Sequence, residues 1–226
     1  MNVLIACEES QAVCIAFRAR GHKAFSCDIQ ECSGGHPEWH IKGDVLPLLG
    51  GRCEFETMDG SKHKIDNRWD LIIAHPPCTD LCVSGARHFQ KKRENGTQEK
   101  SIKFFKRFLD ADCDKIAIEN PVGIIGGKYI NKWFPQFSGL PKCTQIIQPY
   151  EFGDPHKKTT CLWLKGLPKL FPTNIVKPTL VTYTYKNGKR TTYDEYMVRG
   201  FCGNRAKHRS KTFHGIATAM ADQWGG

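Results

Sequence analysis

No run of about 18 apolar residues occurs in the chain, so no membrane-spanning helix and no membrane partner are expected. The opening residues, MNVLIACEES, carry no basic stretch and turn acidic at Glu8 and Glu9. They read as a first core strand instead of a signal peptide. Acidic residues are in deficit: 23 Asp and Glu against 33 Lys and Arg leave a net charge of +10. That balance favours a polyanionic partner, nucleic acid first. The 11 cysteines are odd in number and irregular in spacing. A disulfide framework is therefore not expected, and the thiols read as reduced, cytoplasmic and mostly buried. There are no internal repeats and no low-complexity tracts.

What is present suits one domain over residues 1–226. The apolar runs NVLIAC (2–7), KAFSCDI (23–29), DLIIAH (70–75) and KIAIEN (115–120) read as buried strands. TTCLWLKG (159–166) reads as a further strand, and KGDVLPLL (42–49) as one that offers Asp44 at its end. Helical spacing over 10–20 ends at Gly21, and a second amphipathic helix over 101–111 carries Ile102, Phe105 and Leu109 on its core face. A third helix is expected from Ile216. Residues 53–69 and 180–196 read as hairpins, the second with its turn at Asn187-Gly188. Residues 87–100 are polar and are expected to form a mobile surface loop.

Strands that alternate with helices imply an α/β fold with a mostly parallel central sheet, plus a small basic hairpin insertion near the C-terminus. In such sheets ligands bind at the carboxyl ends of the strands. Asp28, Asp44, Cys78 and Glu119 all fall at expected strand ends. Cys78, in WDLIIAHPPCTDLC (69–82), could be a buried thiol, a zinc ligand or a nucleophile.

Taken in order, these residues resemble the cytosine-5 DNA methyltransferases, in a compact form like those of phages. VLIACEES stands at the first cofactor motif, PPC (76–78) looks like the Pro-Cys motif, and ENP (119–121) resembles Glu-Asn-Val. FGDPHKKTT (152–160) resembles the GxPQxRxR strand, and HGIATAMA (214–221) the last motif. The resemblance implies a Rossmann-like methyltransferase fold and a methyl group transferred from S-adenosylmethionine to C5 of cytosine in DNA. A covalent bond between Cys78 and C6 would split a hard step into easier ones. Glu119 would contact the N3 edge and exocyclic amine, and Lys158 stands at an arginine of the GxPQxRxR strand. Cofactor contacts would come from Ala6, Glu8, Ser10, Asp28, Ile29, Asp44, Val45 and Pro76. DNA contacts would come from Lys157, Lys186, Lys189, Arg190, Arg205, Lys207 and Arg209. Single-stranded DNA or a nucleotide are alternative substrates. Residues 167–211 would be a reduced substrate-recognition insertion, and the location the cytoplasm, that of a bacterial host if phage-encoded.

The chain also departs from that pattern. Glu8, Glu9 and Ser10 occupy the place of glycines, and the two acids read equally well as caps of the first helix. His75 replaces a small residue, and His156 stands at the glutamine of GxPQxRxR. Two rival readings remain. One is a zinc-dependent deaminase using His36, Glu38, Cys78 and Cys82. The other is a nucleic-acid-binding module that kept the fold without catalysis.

Overall fold

The computed structural model describes residues 1–198 and 210–226. The first strands are β1 (Asn2–Ala6), β2 (Lys23–Asp28) and β3 (His40–Lys42). A small hairpin of β4 (Cys53–Glu56) and β5 (Lys62–Ile65) follows. Then come β6 (Leu71–Ala74), β7 (Ile116–Pro121), β8 (Gln145–Ile147) and β9 (Thr160–Lys165). A second hairpin consists of β10 (Leu180–Thr184) and β11 (Arg190–Asp194).

Seven strands form one sheet in the order β3-β2-β1-β6-β7-β9-β8. The first five pair in parallel, and β9 joins antiparallel to both β7 and β8. The chain winds outward from β1 to β3, then crosses back to β6 on the other side of β1. That reversal is a topological switch point, and the crevice beyond the carboxyl ends of β1 and β6 is where such a sheet accommodates a ligand.

The core explains why these runs became strands. Val3, Ile5, Leu71, Ile73 and Ala117 face one side, while Leu4, Ala6, Ile72, Ala74 and Ile118 face the other. Both faces are covered, which is why the sequence shows near-continuous apolar runs rather than alternation. One cover is α1 (Ala12–Arg18) packed with the C-terminal helix. The other is α2 (Phe89–Glu94), α3 (Thr97–Leu109) and α4 (Lys128–Trp133). A short α5 (Glu195–Val198) precedes the C-terminal helix, α6 (His214–Trp224). Gly215 fixes where α6 docks: a Cβ there would lie 1.8 Å from the Phe152 carbonyl oxygen. Its amide donates to Asp154 at 2.9 Å. The FGDP and HG segments, 61 residues apart, thus meet. Among the described residues, no helix is long and apolar enough to cross a membrane.

Several expectations are corrected. Residues 87–100 are helical, spanning α2 and the first turn of α3, not a loop. Phe89 is buried edge-on against Trp133, and Gln98 is fully buried. Those contacts outweigh the polar composition. The helix expected over 101–111 begins at Thr97 and ends at Leu109, with Phe108 more deeply buried than Leu109. The strand expected over 42–49 ends at Lys42 instead, and residues 46–48 form a 3-10 turn. Asp44 therefore lies just past the strand. The hairpin expected over 53–69 forms and turns at Asp59-Gly60, and the second turns at Asn187-Gly188 as expected. The short elements α4 and β8 carry too little periodicity to read locally.

Candidate active site at the carboxyl edge of the sheet

Cys78 is held by the chain on both sides. The carbonyl of Pro76, two residues before it, accepts the buried Asn120 Nδ2–H at 2.7 Å. The Cys78 carbonyl accepts the amides of Leu81 and Cys82 at 3.0 and 2.9 Å, so the chain turns helically straight after the thiol. Residues 81–83 then zip against 122–124. Val83 donates to Val122, and Ile124 donates to Leu81, both at 3.0 Å. Gly123 is required at that crossing, because a Cβ would lie 2.5 Å from the Leu81 carbonyl oxygen. The PPC and ENP segments are therefore one structural unit, although some forty residues separate them.

A clamp from the helices completes the support. Asp80 accepts from Ser101 Oγ at 2.9 Å and pairs with Lys92 at 3.0 Å, while its carbonyl takes Gln98 Nε2 at 2.8 Å. Rigid support of this kind keeps a reactive group within the narrow geometry that chemistry needs.

Cys78 is partly exposed, and its thiol is shifted upward, first by burial and then by the nearby Cys82 and Glu119; its own amide and Lys158 oppose the shift. At neutral pH it rests as a thiol. Glu119 is more deeply set. Burial pushes its carboxyl up, but the hydrogen bond from His75 and the charges of Lys158 and His75 outweigh that, leaving it below the ordinary carboxylate range. Lys158, just before β9, donates to the Lys211 carbonyl at 3.3 Å and lies over the Phe213 ring. Cys78, Glu119 and Lys158 are thus brought together.

Glu8 and Glu9 are buried beyond β1. Both oxygens of Glu8 are engaged by the first amides of α1, Val13 at 2.7 Å and Cys14 at 3.2 Å. Glu8 is therefore the helix-capping acid, not a side chain with a free oxygen for a ligand. Burial raises its pKa to about 7, against the pull of His75 and the two amides. The Ser10 hydroxyl accepts the Ala12 amide at a long 3.5 Å. The left-handed conformation that glycine would supply falls instead on Cys7 and Gln11, both at φ 59°.

The other half of the edge is open. Asp28 closes β2 and accepts the Gln30 amide at 2.9 Å. Asp44, past β3, accepts the Leu46 amide at 3.0 Å. Each contact uses one oxygen and fixes the turn. Ile29 is 77% exposed beside Asp28, Val45 is buried, and Ala6 closes the row. Asp28 and Asp44 thus stand at and just past the carboxyl ends of the neighbouring parallel strands β2 and β3, with the exposed Ile29 next to Asp28. Pro76 is buried, and its carbonyl is taken by Asn120.

The basic residues divide. Lys157 is exposed, its amide donating to Asp194 at 2.7 Å. Lys186, Lys189 and Arg190 are exposed on the β10–β11 hairpin. Arg205, Lys207 and Arg209 lie outside the described residues. His36 is bonded to Glu38 at 3.0 Å and stacked on Trp39. Among the described residues, no cluster of three or more His, Cys, Asp or Glu could hold a metal ion, so the deaminase reading has no ligand set there.

Sequence reasoning missed the support: Asn120 as the anchor of the Pro-Pro turn, Gly123 as the crossing, and Asp80 with Lys92, Gln98 and Ser101 as the clamp. Asn120 and Gly123 were visible in ENPVG, and their place after an expected strand end was the available signal. No protein-family model matches the chain, and no curated protein matches it.

Proposed function

We propose that this chain is a Rossmann-like, S-adenosylmethionine-dependent methyltransferase that acts on C5 of cytosine in DNA. The observation that carries the reading is the joint fixation of Cys78 and Glu119 at the switch-point edge, the thiol on a rigid turn and the carboxylate on the adjacent strand. C5 of cytosine is a weak nucleophile. A thiol adding to C6 moves the C5–C6 electron pair towards C4 and N3, so that C5 becomes enamine-like. The chain's residues suit that step. N3 takes a solvent proton as the electron pair arrives there, and the Glu119 carboxylate accepts from that N3–H and from the exocyclic amine. Cys78 sheds its proton to solvent on attack, and Lys158 stabilises the thiolate. The bound cofactor supplies an electrophilic methyl group on a sulfonium. Asp28, Asp44 and Ile29 hold its adenosine end, and Cys7 to Ser10 bound its far end. After methyl transfer, C5 gives its hydrogen to solvent as a proton, and the Cys78–C6 bond breaks by elimination to restore the ring double bond.

Polymer binding is the second part of the reading. Lys157 and the hairpin cations Lys186, Lys189 and Arg190 contact phosphates, and a cytosine reaches Cys78 only when turned out of the stack.

The test is incubation with labelled S-adenosylmethionine and duplex DNA, single-stranded DNA or dCTP, followed by nucleoside analysis. Label in 5-methylcytosine is expected. Label in another nucleoside, or none with cofactor binding absent in calorimetry, would overturn the reading and favour a non-catalytic binding module.

A further inference from the structure

His75 has no part in the chemistry above, yet it stands at the centre of the site. Its amide donates to the Ala6 carbonyl at 2.9 Å, which carries the β1–β6 pairing past the strands. Ala74 pairs with Ile118, so the next residues along, His75 and Glu119, lie side by side on neighbouring parallel strands. Their side chains leave the same face. Nδ1 of His75 lies 3.0 Å from Oε2 of Glu119, with the side chains only 8% and 11% exposed. With a carboxylate as acceptor, Nδ1 carries the hydrogen. Nε2 is buried and, among the described residues, has no hydrogen-bond partner. On the β1 side His75 meets the charge of Glu8. The other titratable groups that face Glu119 are Lys158, Cys78 and Cys161.

A structural role alone explains this badly. Burying a ring nitrogen without a partner destabilises a fold, and a leucine would fill similar space without that cost. Glu119 gains what the fold gives up. A carboxylate so deeply set tends to take up a proton and turn freely unless a donor holds it. His75 holds one oxygen, and among the described residues no hydrogen bond reaches the other.

We propose that His75 is the positioning residue of Glu119: it ties down Oε2 and leaves Oε1 as the oxygen that meets the N3 and exocyclic-amine edge of a cytosine beside Cys78. The inference rests on the methyltransferase reading for its substrate, but not for its control of Glu119. It accounts for a histidine at a place where the resembled family keeps a small residue. It also gives a reason for the order of strands: β6 supplies both nucleophile turn and holder, and β7 the held carboxylate.

Two readouts test it. The first needs no catalysis. The Glu119 carboxyl is followed by carbon NMR in protein labelled at glutamate, the signal assigned with Glu119→Gln. His75→Leu should raise its proton affinity at least tenfold, and His75→Asn, which keeps a donor near Nδ1, should recover part of the shift. An unmoved titration in His75→Leu overturns the inference, even if that variant is less stable. The second is methyl transfer. His75→Leu should lower kcat about a hundredfold with KM for DNA changed less than about threefold, as expected for a misplaced group. The acid limb of kcat/KM should move to higher pH. Wild-type kcat and pH profile retained in His75→Leu would overturn it. Wild-type protein that labels no cytosine would overturn the substrate reading instead, and the NMR titration would still decide the His75–Glu119 relation.

Discussion

The sheet edge around Cys78 and the β10–β11 hairpin solve opposite problems. At the edge, the deeply set side chains of His75, Glu119 and Asn120 bond to partners 44 residues away along the chain, and buried Glu8 takes the first amides of α1. On the hairpin, Tyr183 and Tyr185 remain nearly half exposed, and most contacts are local. Thr182 bonds Thr192 across the strands at 2.9 Å, and Tyr183 packs edge-on against Tyr193 at 6.1 Å. Among the described residues the hairpin is tied in at its root, where Asp194 accepts the Lys157 amide and the Thr179 amide donates to the Pro155 carbonyl at 2.8 Å. A reacting thiol needs fixed geometry and tuned charge, which burial supplies at a cost. Under the proposed function a phosphate-facing surface needs accessible cations, and a two-stranded ribbon offers Lys186, Lys189 and Arg190 away from the core.

Substitutions at the two regions should therefore fail differently. The largest effect is expected for Cys78→Ser: methyl transfer should fall by about a thousandfold or more, with calorimetric affinity for S-adenosylmethionine within about threefold. Activity near wild type would remove Cys78 from the reaction.

Next comes the charge cost of the edge. Glu8 has a folded pKa of about 7 against an ordinary 4.5. Between those values the folded protein holds a proton that the unfolded chain has lost, so stability falls as pH rises through that window. The shift corresponds to about 3 kcal/mol. Glu119, shifted the other way, costs stability only as pH falls below the ordinary carboxylate range. Glu8→Gln should flatten the decline in urea midpoint between pH 5 and 8. A decline that persists unchanged would place its source elsewhere.

Asn120→Ala should follow, because it leaves the Pro76 carbonyl buried without its donor. A loss of about 1–3 kcal/mol in urea unfolding is expected, with kcat falling more than KM rises. A loss of kcat without any loss of stability would contradict a supporting role.

The smallest effect on folding belongs to the hairpin. Replacing Lys186, Lys189 and Arg190 with alanine should leave unfolding within about 0.5 kcal/mol. DNA affinity, measured by anisotropy, should fall about tenfold or more, and the salt slope should drop by about 2–3. An unchanged slope would move the nucleic-acid surface off the hairpin.

The two regions also differed in how far the sequence revealed them. Apolar runs buried on both faces announced β1, β2, β6 and β7, and Asn187-Gly188 announced the hairpin, because both signals lie in contiguous residues. Cys78 and Glu119 were legible as strand-end residues. Residues 87–100 were misread because polar composition hid a tertiary role: Phe89 and Gln98 are buried by neighbours distant in sequence. Glu8 was legible as acidic, but only its hydrogen bonds show that α1 takes both oxygens.

The sequence by itself determined an α/β chain with parallel strands, a basic hairpin and chemistry-bearing residues at strand ends, because period and turn chemistry are local. The tertiary structure alone decided which of those residues meet. Pairing β6 between β1 and β7 put His75 against Glu119 and near the charge of Glu8, and joined Pro76 to Asn120. Strand order is set by the burial of whole faces against one another, and no local stretch of sequence carries that information.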